Sequence, residues 1–345
     1  MSNVLPFSLK AGPTRIRAVG LLLVFTLSAL SGCTGGFVPG VVRLGYFPNL
    51  THAQPLYGVA TGLYQEELGE TQLETVTFNA GPTAFEALLA HRVDVIYVGP
   101  SPTINTVEKT GLDLVVVVSG SASGGALFVV KEGMALDDAS DYTGKKFATP
   151  QMGNTQDVAL KHYLLGLGLR SKDRGGTVEV VNQGNADILT LFDQDEIQGA
   201  WVPEPWGTRL VRELNGQVKV NESELWESGD FVTTHLVTTR KFAEERGPDL
   251  EKVVAAHYKA TAKVREGSPE VLDAINDGIE KATSKRIDDE TLAAAYRNIR
   301  FTNEPLQETF RKQYEMSHDI GFAGAPPAGL ERIYELDIVR PSEAP

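Results

Sequence analysis

From Val41 onward the chain alternates short apolar strands with helical segments, and this alternation constrains the fold more than any other feature of the sequence. Val41–Tyr46, 73–78 and 93–98 read as strands, separated by helical patterns at 55–63 and 82–90. Pro82 suits the first turn of its helix, and Ser101 reads as the cap of the next, with Pro102 at its first position. Leu114 is followed by four valines, the mark of a strand buried on both faces. Ser119–Gly125 is small and polar, and reads as a flexible stretch, a pocket wall and a crossing point. A second series follows: strands near 127–130, 146–148, 178–181 and 197–201, with helices at 154–165, 186–192 and 205–214. Residues 231–238 read as a returning strand, and helices at 250–266, 269–284, 288–297 and 306–319 close the chain. Such alternation predicts an α/β fold of mostly parallel sheets flanked by helices.

The N-terminus is of another kind. Lys10, Arg15 and Arg17 precede an apolar run from Val19 to Leu30, with no acidic residue before it. A basic region, a short apolar core and small residues make an export signal, and a run of about a dozen residues is short of the roughly 20 that span a bilayer. Leu30-Ser31-Gly32-Cys33 resembles a bacterial lipobox, which implies cleavage before Cys33 and lipid on that residue. Cys33 is the only cysteine, so no disulfide is expected. Residues 1–32 then form a signal peptide and the Gly-rich 33–40 a flexible tether. Without residues 1–32 the formal net charge moves from −13 to −16, which disfavours nucleic acid and leaves membrane attachment to the anchor. A mature chain of this length favours two domains.

Four segments lie at expected strand ends: Gly45-Tyr46-Phe47-Pro48-Asn49-Leu50-Thr51-His52-Ala53, Gly99-Pro100-Ser101-Pro102, Gly153-Asn154-Thr155-Gln156-Asp157 and Trp201-Val202-Pro203-Glu204-Pro205-Trp206. In this order the chain resembles the substrate-binding lipoproteins of ABC importers for aliphatic sulfonates, taurine and nitrate. The resemblance implies a two-lobed type II periplasmic-binding fold. Lobe 1 would comprise 41–123 and 232–345, lobe 2 would comprise 124–231, and the ligand would sit in the cleft between them. It also implies an ABC permease and, through it, an ATPase subunit as partners. The expected place is the outer face of the cytoplasmic membrane, at the cell surface or in the periplasm, with the protein a monomer.

The residues converge on the same cleft. Open α/β sheets bind ligands at strand C-terminal ends, and helix N-termini there offer unpaired N–H groups to an anion. No Lys or Arg lies in the four segments, so neutral dipoles are expected to hold the anion. The candidate ligand-binding residues are Asn49, Thr51, His52, Gln54, Ser101, Ser121, Asn154, Thr155, Gln156, Glu204 and Trp206. Ser101 and Asn154 read equally as ordinary caps, and His52 as a buried histidine or an anion donor. Trp201 reads as core and Trp206 as a cleft wall. Glu204 would repel an anion, so it reads as a partner for a ligand ammonium, a salt bridge or a docking contact. Gly153 is expected to let backbone approach the ligand.

Other chemistry is missing from the sequence. No His, Cys and carboxylate cluster has metal spacing, and His91, His162, His235, His257 and His318 are scattered. There is no Walker loop and no Gly-x-Ser-x-Gly elbow. No cofactor is expected. Thiamine-pyrimidine biosynthetic enzymes share the fold, but they are cytoplasmic and carry a cysteine-rich segment. The expected ligand is a small organic anion, an aliphatic sulfonate; taurine, nitrate and aromatic or pyrimidine solutes are the alternatives.

Overall fold

The computed structural model describes residues 36–337. The export signal and Cys33 lie outside the described residues. The first series runs β1 (Val41–Tyr46), α1 (Ala53–Ala60), α2 (Leu63–Leu68), β2 (Gln72–Thr77), α3 (Gly81–Leu89), β3 (Val95–Val98), α4 (Pro100–Thr110) and β4 (Val115–Gly124). The second runs β5 (Ala126–Val130), β6 (Lys146–Thr149), α5 (Thr155–Gly166), β7 (Glu179–Asn182), α6 (Asn185–Asp193), β8 (Gly199–Pro203), α7 (Trp206–Leu214) and β9 (Gln217–Asn221). The chain then continues through β10 (Val232–Thr239), α8 (Arg240–Glu245), α9 (Gly247–Glu266), α10 (Pro269–Thr283), α11 (Asp289–Tyr296), β11 (Ile299–Phe301) and α12 (Gln307–Asp319).

These strands build two sheets. One has the order β11-β4-β10-β3-β1-β2 and the other β7-β6-β8-β5-β9. β1 pairs in parallel with β2 and β3, while β10 runs antiparallel between β3 and β4. In the second sheet β6 is parallel to β7 and β8, and β5 runs antiparallel between β8 and β9. Each sheet is therefore mixed: β10 and β11 run against the other strands of the first, and β5 against those of the second. The chain passes from one sheet to the other at Gly125, and back between β9 and β10. Each sheet is covered on both faces, which is why β4, β5, β8 and β10 are buried throughout. One layer of the first lobe joins Leu44, Tyr97 and Val118 to Leu250, Val253 and Ile275 of the C-terminal helices. In the second lobe Phe128 stacks on Trp201 at 5.4 Å between ring centroids. Trp201 is core, and its Nε1 donates to Glu222 Oε2 at 2.7 Å.

Three local readings change. Ser119–Gly125 is not a flexible stretch, because β4 runs through it to Gly124. Its small residues answer a tertiary demand: a Cβ on Gly120 would lie 1.9 Å from the Glu304 carbonyl oxygen. The stretch before β1 is not free as far as Gly40. Phe37 packs edge-on against Phe242 at 5.0 Å, and Arg246 Nη1 donates to the Val38 carbonyl at 2.9 Å. The helix after β3 is capped by Gly99 with Pro100 in its first turn, which places Ser101 two residues deeper than expected.

Candidate functional site

Loops from both lobes enclose a cavity of about 30 Å³. From the first lobe come Phe47, Asn49, Thr51 and His52 after β1, Asn79–Gly81 after β2, Gly99 and Pro102 after β3, and Thr233 on β10. From the second come Pro150 after β6, Asn154–Gln156 entering α5, Asn185 entering α6, and Pro203 ending β8. The N-termini of α3, α4, α5 and α6 thus meet at one point, each with first-turn N–H groups that the helix leaves unpaired.

No lining residue carries a formal charge. His52 is the one titratable group on the wall, and burial lowers its pKa to about 3. Its Nδ1 accepts the Phe47 N–H at 3.4 Å, which leaves the proton on Nε2 and makes the ring a neutral donor. The potential of the site is therefore that of aligned backbone dipoles, which favours a negative guest.

A polar frame holds the second-lobe wall from behind. Asn154 caps α5, its Oδ1 accepting the Asp157 N–H at 2.9 Å. Asp157 is fully buried and accepts from the Gly153 N–H, Thr149 Oγ1, Asn182 Nδ2 and Lys161 Nζ, all within 3.0 Å. Its charge is balanced by Lys161 behind the helix start and does not oppose an anion in front.

Of the expected residues, Asn49, Thr51, His52, Asn154, Thr155 and Gln156 are brought together around the cavity. Gln54 and Ser121 are not. They lie behind the wall and satisfy each other: Gln54 Nε2 donates to the Ser121 carbonyl at 2.7 Å, and Ser121 Oγ donates to Gln54 Oε1 at 2.9 Å. Ser101 is buried beside Gly99 and Pro102, and its Oγ has no protein partner. Trp206 stands at the edge and donates from Nε1 to Asn49 Oδ1 at 2.8 Å, across the two lobes.

Glu204 corrects the expectation most. It is fully buried, faces neither the cavity nor solvent, and accepts from the Thr208 N–H, Thr208 Oγ1 and Asn298 Nδ2. Burial raises its pKa above the usual carboxylate value. Its backbone also joins the lobes, because its N–H donates to the Gly125 carbonyl and its carbonyl accepts from the Leu50 N–H, both at 2.8 Å. Gly153 has a packing role. At φ +73° its missing Cβ makes room for the Phe322 ring, whose nearest atom would lie 2.7 Å from it. Asn79, Asn185 and Thr233 line the cavity without having been expected. The first two follow a strand and precede a helix, a signal that was legible; Thr233 lies within a strand and gave none.

The chain is 24% identical over 252 residues, 73% of this chain and 74% of the relative, to a protein of Escherichia coli (strain K12) named as an aliphatic sulfonates-binding protein. The alkanesulfonate-binding protein SsuA from Xanthomonas axonopodis pv. citri, solved with MOPS bound, superposes with a TM-score of 0.70 at 16% identity, over 87% of this chain and all of that one. The nitrate-binding protein NrtA from Synechocystis PCC 6803 superposes with a TM-score of 0.72 at 13% identity, covering 87% of each chain. The two-lobed α/β architecture is thus that of periplasmic binding proteins. Residues 39–275, well over half of the sequence, match the NMT1-like family, and the chain belongs to it.

Proposed function

We propose that this protein is the extracytoplasmic solute-binding component of an ABC importer, which holds an aliphatic sulfonate between its lobes and passes it unchanged to a permease. The observation that carries this reading is the uncharged cavity ringed by four helix N-termini from two lobes. Neutral donors of that kind suit a tetrahedral oxyanion, and they hold it without the desolvation penalty of a buried ion pair. The names of the relatives point the same way. Lipid on Cys33 would tether a monomeric body made of lobe 1 (41–123 and 232–345) and lobe 2 (124–231). No helix among the described residues is long and apolar enough to cross a membrane.

Taurine fits less well than a simple alkanesulfonate. Its ammonium would need an acid in the cavity, and Glu204 is committed elsewhere. Nitrate is the second reading, favoured by the small cavity volume.

Titration calorimetry with ethanesulfonate, taurine, nitrate and sulfate tests the choice. Ethanesulfonate is expected to bind one-to-one and be recovered intact by mass spectrometry, with taurine at least tenfold weaker. Binding of nitrate alone would favour the second reading. Chemical conversion of any of them would overturn both.

A further inference from the structure

The turn after α12 meets the loop that leads into α5, behind the cavity wall. α12 belongs to the first lobe: Phe310 and Tyr314 lie in its core, Tyr314 Oη donates to Glu108 Oε2 on α4 at 2.9 Å, and Gln313 Nε2 donates to the Val232 carbonyl at 2.9 Å. The turn itself is tightly built. The Ser317 carbonyl accepts the N–H groups of Phe322 and Ala323 at 2.7 and 3.2 Å, and Ala323 packs back on the first-lobe core. Phe322 therefore has a fixed base in the first lobe.

Its ring rests on the second lobe. At Gly153 a Cβ would stand 2.7 and 3.0 Å from two ring atoms, while Lys161 Nζ lies 5.8 Å and Arg174 Cζ 5.7 Å from the ring centroid. Both cations are within the reach at which the face of an aromatic ring attracts positive charge. Arg174 also meets the turn, since a Cβ on Gly321 would lie 3.4 Å from its Nη1. The socket is joined to the cavity. Lys161 Nζ donates to Asp157 Oδ2, which also accepts the Gly153 N–H, and the Asp157 N–H is accepted by Asn154 on the cavity lining. Asp157 thus connects the cation beneath the ring to the α5 start that faces the solute.

Resting on the reading above of a solute held between the lobes, we infer that Phe322 is a positioning residue for retention of that solute: seated in the Gly153–Lys161–Arg174 socket, its ring holds the lobes together and keeps the α5 start in place. Phe322 is not among the cavity-lining residues, so it acts without touching the solute. It also lies beyond residues 39–275, the part of the chain that matches the family. A contact between lobes that completes only on closure slows release and leaves the first encounter unchanged.

Stopped-flow tryptophan fluorescence of the full-length protein with ethanesulfonate tests this. Phe322→Ala is expected to speed dissociation about tenfold, the loss of two cation–ring contacts, with the association rate and the unfolding midpoint of the unliganded protein unchanged. Phe322→Tyr keeps the ring and should keep wild-type rates, whereas Phe322→Leu keeps only bulk and should fall between. Arg174 is exposed, so Arg174→Gln leaves the fold undisturbed. It should speed release severalfold in the wild type and not at all in Phe322→Ala, a non-additivity that general loosening of the fold does not produce. Wild-type release from Phe322→Ala overturns the inference and leaves the functional reading intact. So does an equal effect of Arg174→Gln in both backgrounds. Failure of ethanesulfonate to bind the wild type removes the functional reading and this inference with it.

Discussion

Alanine in place of Gly99 is expected to weaken ligand binding about a hundredfold while the unliganded protein remains as stable as the wild type within about 1 kcal/mol. Gly99 has φ −73° and ψ 164°, a conformation alanine adopts freely, so backbone strain is not the cause. The cause is the other lobe. A Cβ at this position would lie 2.3 Å from Thr155 Oγ1, on the first turn of α5, and 3.3 Å from the Thr233 carbonyl oxygen. The first contact exists only when the lobes are together. Overpacking of this kind costs about 1–3 kcal/mol, and here the cost falls on the closed state alone, so the open state gains in population. Thr155→Ala in the same chain removes the obstructing hydroxyl and should recover part of the lost affinity, although it also removes a polar group from the wall. Calorimetry of the single and double variants, with thermal unfolding of both, reads the outcome. Unchanged affinity in Gly99→Ala would mean that closure across this contact is not part of binding.

Acidification from pH 7 to pH 5 is expected to destabilise the fold by several kcal/mol. His52, His235 and His257 are buried, and burial lowers their pKa values to about 3, about 4 and about 3. His235 donates from Nε2 to the Pro305 carbonyl at 2.7 Å, and His257 Nδ1 lies 2.8 Å from the Tyr97 hydroxyl, so each is held in place as a neutral ring. In the unfolded chain each titrates near 6.5. Between the two values the unfolded state binds more protons, so stability falls as pH drops below about 6.5. At pH 5 each ring contributes a loss of about 2 kcal/mol.

Glu222 acts in the opposite sense. Burial raises its pKa to about 8, above the unfolded value, so its contribution is full at low pH and is lost as pH rises toward 8. It returns about 2–3 kcal/mol over the same interval, and Glu204, also raised by burial, acts in the same sense against the three histidines. Urea denaturation at the two pH values measures the difference. His257→Gln should reduce it by about one third of the histidine share. An unchanged pH dependence in His257→Gln would show that this ring is not neutral in the folded protein.

Much of the architecture was legible because local signals and tertiary structure agree. The four-valine run became the buried β4, Pro82 began a helix, and Asn154 capped α5. The cavity-lining residues of the β1–α1 loop and of the α5 start were legible for the same reason, since strand ends and helix caps mark themselves in sequence. What could not be read depends on partners far along the chain. Nothing near Gln54 announces that it pairs with Ser121, and nothing near Glu204 announces Asn298. The small residues at Ser119–Gly125 imitate a loop, but the glycines among them are small because distant groups pack against them, the Asn303–Glu304 backbone on Gly120, the Asn298 carbonyl on Gly124 and Ile299 on Gly125. β11 is a three-residue strand, too short for any periodicity to show.

The most direct test is a crystal structure of the full chain with an alkanesulfonate. The sulfonate oxygens should lie about 3 Å from backbone N–H groups at the starts of α4 and α5, with no Lys or Arg side chain in contact. A sulfonate seated outside the space between the lobes, or held by a basic side chain, would contradict the account.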